Sequence, residues 1–133
     1  MIFQLALTIP ANTTAVAGMS AELPILPGYV ERVWVGFPHG CFGLARVQLW
    51  RGESQLLPLT GGEVLAWNNI VYDFPMHYRV DDEPLRFIVR AWNYDDSYAH
   101  TVTVMVSVRP FEPGEAGEIG GLTVEEIYAG LGV

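Results

Sequence analysis

Hydrophobic and polar residues alternate along most of the chain with a period of two, the repeat of a strand with one buried face. Phe3, Leu5, Leu7 and Ile9 fall on one side, Gln4 and Thr8 on the other, and Pro10 ends the run because it lacks a backbone donor. Residues 11–28 are small, polar and proline-bearing, and predict a long crossing connection. Val33, Val35 and Phe37 mark a second strand, broken by Pro38 and Gly40; Ala45, Val47 and Leu49 mark a third, against Arg46 and Gln48. Arg51-Gly52-Glu53 turns the chain into a short strand near Gln55 to Leu57. Gly61-Gly62 turns it again before a short strand over Val64 to Trp67. Ile70 to Phe74 forms the next, and Met76 to Val80 continues past Pro75 on an edge, where proline is tolerated. The strongest alternation comes last. Leu85, Phe87, Val89 and Ala91 lead through Asn93–Ser97, all turn-type residues, into Val102, Val104, Val106 and Val108, which predicts a hairpin with one buried valine face.

This pattern predicts an all-β fold, a single β-sandwich over residues 1–111 with a C-terminal extension. A jelly roll is the first choice and an immunoglobulin-like Greek key the second; the chain has no cysteine pair for a true immunoglobulin domain. Pro110 and Pro113 end the sandwich, and the Gly- and Glu-rich stretch that follows reads as a flexible tether within an arm of residues 112–133. A short C-terminal helix closes the arm: Thr123 and Glu126 make a capping box, and Leu122 and Ile127 sit where a hydrophobic staple belongs. So short a helix is unstable alone in water, so Leu122, Ile127, Tyr128 and Leu131 need a surface to cover. The domain's own surface and that of another subunit are both open.

The 133 residues fit one domain, and with half of them hydrophobic and 17% charged they can fill a core. No apolar run approaches the roughly 18 residues of a membrane span. No basic residue precedes the apolar stretch Ile2 to Ile9, which alternates, so a cleaved leader is not expected. The net charge is −8, and all seven cations are arginines scattered along the chain. Nucleic-acid backbones and anionic membrane surfaces need clustered cations, so neither is expected as a partner.

Candidate chemistry is thin. Cys41, the single cysteine, lies two residues from His39 and invites a nucleophile–base pairing, but in a tight turn it reads as a small hydrophobe. Asp81-Asp82-Glu83, with Asp73, Asp95 and Asp96 at the same end of a sandwich, could gather oxygen ligands for calcium, yet EF-hand spacing is absent. Paired carboxylates for glycoside hydrolysis would need a cleft that short turns do not build. His39, His77 and His100 lack zinc-ligand spacing, and no phosphate loop, G-x-S-x-G elbow or CxxC pair occurs. No enzymatic activity, cofactor or bound metal is therefore expected.

Tryptophan carries more weight. Trp34, Trp50 and Trp92 lie opposite in strand parity to the aliphatic positions of their strands, in company with Arg32, Arg46, Arg86 and Arg90. Trp and Arg are enriched at protein interfaces. The alternatives are that these strands bury both faces, or that exposed rings stack on sugars.

Three stretches, Leu7-Thr8-Ile9-Pro10-Ala11-Asn12-Thr13, Phe37-Pro38-His39-Gly40-Cys41-Phe42-Gly43-Leu44 and Ala91-Trp92-Asn93-Tyr94-Asp95-Asp96-Ser97-Tyr98-Ala99-His100-Thr101, resemble small β-sandwich capsid decoration (cement) proteins of bacteriophages. They span most of residues 1–110 and are turns and strands, not an active-site signature. The resemblance implies a non-enzymatic structural protein on the capsid surface of a virion, and otherwise soluble. Its partners would be capsid protein or copies of itself, in a homo-oligomer such as a trimer. The interface candidates are then Trp34, Trp50, Trp92, Leu122, Ile127, Tyr128 and Leu131. A carbohydrate- or receptor-binding sandwich module is the alternative.

Overall fold

The computed structural model describes residues 1–130. Eight strands build two four-stranded antiparallel sheets. They are β1 (Ile2–Ile9), β2 (Met19–Pro24), β3 (Gly28–Phe37), β4 (Ala45–Arg51), β5 (Ser54–Leu57), β6 (Ile70–Val80), β7 (Arg86–Asn93) and β8 (His100–Pro110). Sheet A runs β1-β8-β3-β6 and sheet B runs β2-β7-β4-β5. Within these orders β1 pairs β8, β2 pairs β7, β3 pairs β6 and β4 pairs β5. The chain is thus one long antiparallel ribbon folded at β4–β5 and rolled into two sheets, which is the jelly-roll arrangement of a sandwich.

The core lies between the sheets. Val30, Val33, Val35, Val102, Val104 and Val106 of sheet A and Val47, Leu49, Phe87 and Val89 of sheet B are almost wholly buried. Each such side chain contributes about 1.5–3 kcal/mol by leaving water. Period two sends the intervening residues outward, and Trp34 and Trp50 go with them.

Three elements differ from the sequence expectation. The connection after Pro10 contains β2, because Met19, Ala21 and Leu23 alternate with Ser20 and Glu22 and pair with β7. Val64 to Trp67 makes only an isolated bridge, Leu65 to Val47. Residues 85–108 are not a hairpin: β7 belongs to sheet B and β8 to sheet A, and the Asn93–Ser97 segment carries the chain from one sheet to the other. Each strand is central in its own sheet and alternates inward, so the valine face meets the opposite sheet and not a neighbour.

β6 is continuous through Pro75. It forms one edge of sheet A, and the register shifts near Arg32, opposite Pro75.

From Phe111 to Gly130 the chain folds back on its own sandwich and is no free tether. β9 (Glu118–Ile119) and β10 (Leu122–Thr123) pair, and α1 (Val124–Gly130) follows. Thr123 Oγ1 accepts from the Glu126 backbone N–H at 3.2 Å, the expected cap. Phe111, Ile119 and Val124 form a second small core, with Tyr29, Leu85, Ile127 and Tyr128 packed against it.

Candidate functional site

The two ends of the sandwich are built differently. At the end where β3, β6 and β8 meet the arm, arginine holds the chain in place. Arg79 donates to Tyr29 Oη at 2.6 Å, to Asp81 at 2.7 Å and to the Glu115 carbonyl at 2.6 Å. Arg109 lies over the Tyr29 ring, 4.6 Å from its centroid, and pairs with Glu115. The Glu112 backbone N–H and then Arg109 hold the Glu115 carboxyl below its usual range. Arg51, mostly buried, donates to the Asp82 carbonyl and carboxylate, the Pro84 carbonyl and Tyr78 Oη. Tyr128 Oη accepts from the Phe111 N–H and donates to the Pro27 carbonyl, and burial pushes this phenol up. Tyr128 and Ile127 are therefore engaged within their own chain, while Leu122 stays 46% exposed and Leu131 lies outside the described residues.

The opposite end is a platform of four loops. Residues 10–18, 38–44, 58–69 and 94–99 leave the strands there and hydrogen-bond to one another. The Asn12 and Thr13 N–H groups donate to the Asp95 and Asn93 carbonyls, Gly43 N–H to Trp67, Asn69 N–H to Pro38, and Tyr94 N–H to Leu44. Asn93, fully buried, donates to the Ile9 and Tyr98 carbonyls and accepts the Asp95 N–H. Asp95 accepts the Ser97 and Tyr98 N–H groups and meets His100 Nε2 at 2.8 Å. The Ser97 N–H and then His100 hold the Asp95 carboxyl below its usual range.

Cys41 is fully buried; burial pushes its thiol up, and the nearby Asp95 charge adds to the rise, which suppresses the thiolate that a nucleophile needs. His39 is exposed and packs edge-on against Phe42. The acids expected at one end are dispersed. Asp73 pairs with Arg32 on the outer face of sheet A, Asp81 and Asp82 pair with arginines at the arm end, and Asp95 and Asp96 lie in the loop platform. Among the described residues no three metal-ligating side chains converge. No described helix is long and apolar enough to cross a membrane.

Of the tryptophans singled out, Trp34 lies on sheet A between Asp73 and Met105, partly exposed. Trp50 and Trp92 share the outer face of sheet B. Trp50 donates its indole N–H to Gln48 and carries the Arg90 guanidinium 5.3 Å from its ring. Trp92 is only 8% exposed, so its ring is not offered to a partner, and among the described residues its indole N–H has no acceptor. Residues missed by strand parity are Phe42, Trp67 and Tyr98 of the loop platform, 68%, 60% and 70% exposed. Their signal in sequence was an aromatic residue inside a Gly/Asn/Asp turn, where no core exists to claim it.

No family model matches the chain, and no curated protein matches it.

Proposed function

We propose that this chain is a non-enzymatic structural protein of a virion that decorates or cements a capsid through subunit contacts. The observation that carries the proposal is the outer face of sheet B. It presents Arg46, Arg86 and Arg90 with a single acid, Glu22, in a chain whose net charge is −8. Arg86 approaches Glu22 at 3.3 Å. Among the described residues Arg46 and Arg90 have no carboxylate partner and rest instead over the rings of Tyr94 and Trp50, at 4.9 and 5.3 Å.

Arg46 spends its Nε–H on the Gly43 carbonyl at 3.4 Å, and the terminal nitrogens of a guanidinium stacked on an aromatic can still pair with a carboxylate from outside; such pairs anchor interfaces. The face therefore suits an acidic surface, on a shell protein or on another copy of this acidic chain. Burying it across subunits would stabilise the assembly by mass action, without any chemistry.

The test is co-sedimentation with assembled shells, together with light scattering of the free chain. The parent should bind or oligomerise, and the Arg46→Glu/Arg90→Glu double variant should not, at unchanged melting temperature. Equal binding by parent and variant would overturn the proposal.

A further inference from the structure

The loop platform holds a second surface, unlike the arginine face in chemistry and independent of it. Phe42 has φ of +47°, a conformation that costs a bulky residue energy. The turn is held by Asn68, whose Oδ1 accepts the Gly40 N–H at 2.7 Å and the Phe42 N–H at 3.2 Å. The result of this strained geometry is a phenyl ring standing 68% exposed in water. A fold that sought only stability would place glycine or asparagine there.

Phe42 divides two hollows. One, of about 380 Å³, is lined by Phe42, Gly43, Trp67 and Asn68. The other, of about 560 Å³, includes His39, Asp96, Ser97 and Tyr98 in its lining. Their polar groups are available. Asn68 spends its oxygen on the backbone, and among the described residues no hydrogen bond engages its amide N–H groups, the His39 ring or the Tyr98 hydroxyl. Charge is sparse. Of the fifteen acids in the chain, the four loops contain Glu63, Asp95 and Asp96, and Asp95 is buried against His100.

We infer that this platform binds a neutral oligosaccharide, with one pyranose ring in each hollow and Phe42 between them. The electron-rich face of an aromatic ring attracts the C–H-lined face of a sugar, and planar amide, imidazole and carboxylate groups at the rim pair with its hydroxyls. A charged ligand finds no clustered counter-charge here. A protein partner of ordinary size would need about 800 Å² of continuous, complementary surface, whereas the rings flank separate concavities. The hydrogen bonds between loops fix the platform before binding, which lowers the ordering cost.

The experiment is calorimetric titration of the full chain with cello-, malto-, xylo-, manno- and chitohexaose. At least one should bind, and Phe42→Ala and Trp67→Ala should each weaken it by about tenfold or more, while Trp50→Ala on the other surface changes it by less than about twofold. Phe42→Gly should abolish binding and raise the melting temperature, because glycine relieves the strained φ. No binding of any of the five up to about 5 mM, or undiminished binding by Phe42→Ala and Trp67→Ala, would overturn the inference. Either failure leaves the assembly proposal untouched, since that rests on Arg46 and Arg90.

Discussion

The Asp95 carboxylate and the His100 imidazole lie 2.8 Å apart, both buried, where the chain passes from sheet B to sheet A. With Asn93 they bind the end of β1, the turn and the start of β8 into one unit. The Ser97 N–H, and then His100, favour the charged form of Asp95 and depress its folded-state value. A depressed carboxyl contributes stability above its unfolded value and loses it as pH falls through the folded one. Thermal melts should therefore be insensitive to this group from neutrality down to about pH 5 and fall below about pH 4. Asp95→Asn should lower the melting temperature at pH 7 and flatten the acid limb. An acid limb identical to the parent's would show that another group governs it.

Gly28 opens β3 against β8. A Cβ placed there would stand 2.3 Å from the Arg109 carbonyl oxygen and 2.9 Å from Val108 Cγ1. The carbonyl is fixed by sheet pairing and Val108 is buried in the core, so Gly28→Ala should destabilise by about 4 kcal/mol or more, or prevent folding. Gly61→Ala, where an added Cβ meets nothing within 4 Å, is the control and should change little. Denaturant midpoints of the two variants make the comparison.

Trp92 is buried with an indole N–H that has no acceptor among the described residues. Removing an unsatisfied donor recovers its desolvation cost, so Trp92→Phe should stay within about 1 kcal/mol of the parent despite the smaller ring. Trp92→Ala should cost about 3–5 kcal/mol, because it leaves a cavity. A large loss in the phenylalanine variant would mean that the N–H is bonded in solution.

Cys41 is fully buried, and burial pushes its thiol up. In the native protein it should not react with a disulfide reagent over hours at pH 8, and it should react at once in denaturant. Prompt reaction of the folded chain would place Cys41 at the surface.

Much of this fold was legible in sequence because burial and strand period coincide. Val33 and Val35, Val47 and Leu49, and Val102 to Val108 each alternate, and each lines the core. What failed was pairing. Alternation in residues 85–108 says which face is buried but not whether that face meets a neighbour or the opposite sheet, and the crossing is decided by Asn93 and Asp95, whose long-range bonds no local pattern reveals. β2 was hidden because Ala21 and Met19 are weak strand formers in a proline-bearing stretch. On the surface, parity placed Trp50 outward but could not tell that Trp92, on the same face, is covered. Phe42 and Trp67 sit in loops, where period carries no information.

β6 exposes one whole edge of sheet A, yet Pro75 lacks a donor in the middle of it and the register shift opposite Arg32 bends it. An incoming strand meets a gap where it needs a hydrogen bond. Crowding the protein at high local concentration is therefore expected not to seed fibrils through this edge. Pro75→Val should restore the missing donor and raise thioflavin-positive aggregation on prolonged incubation.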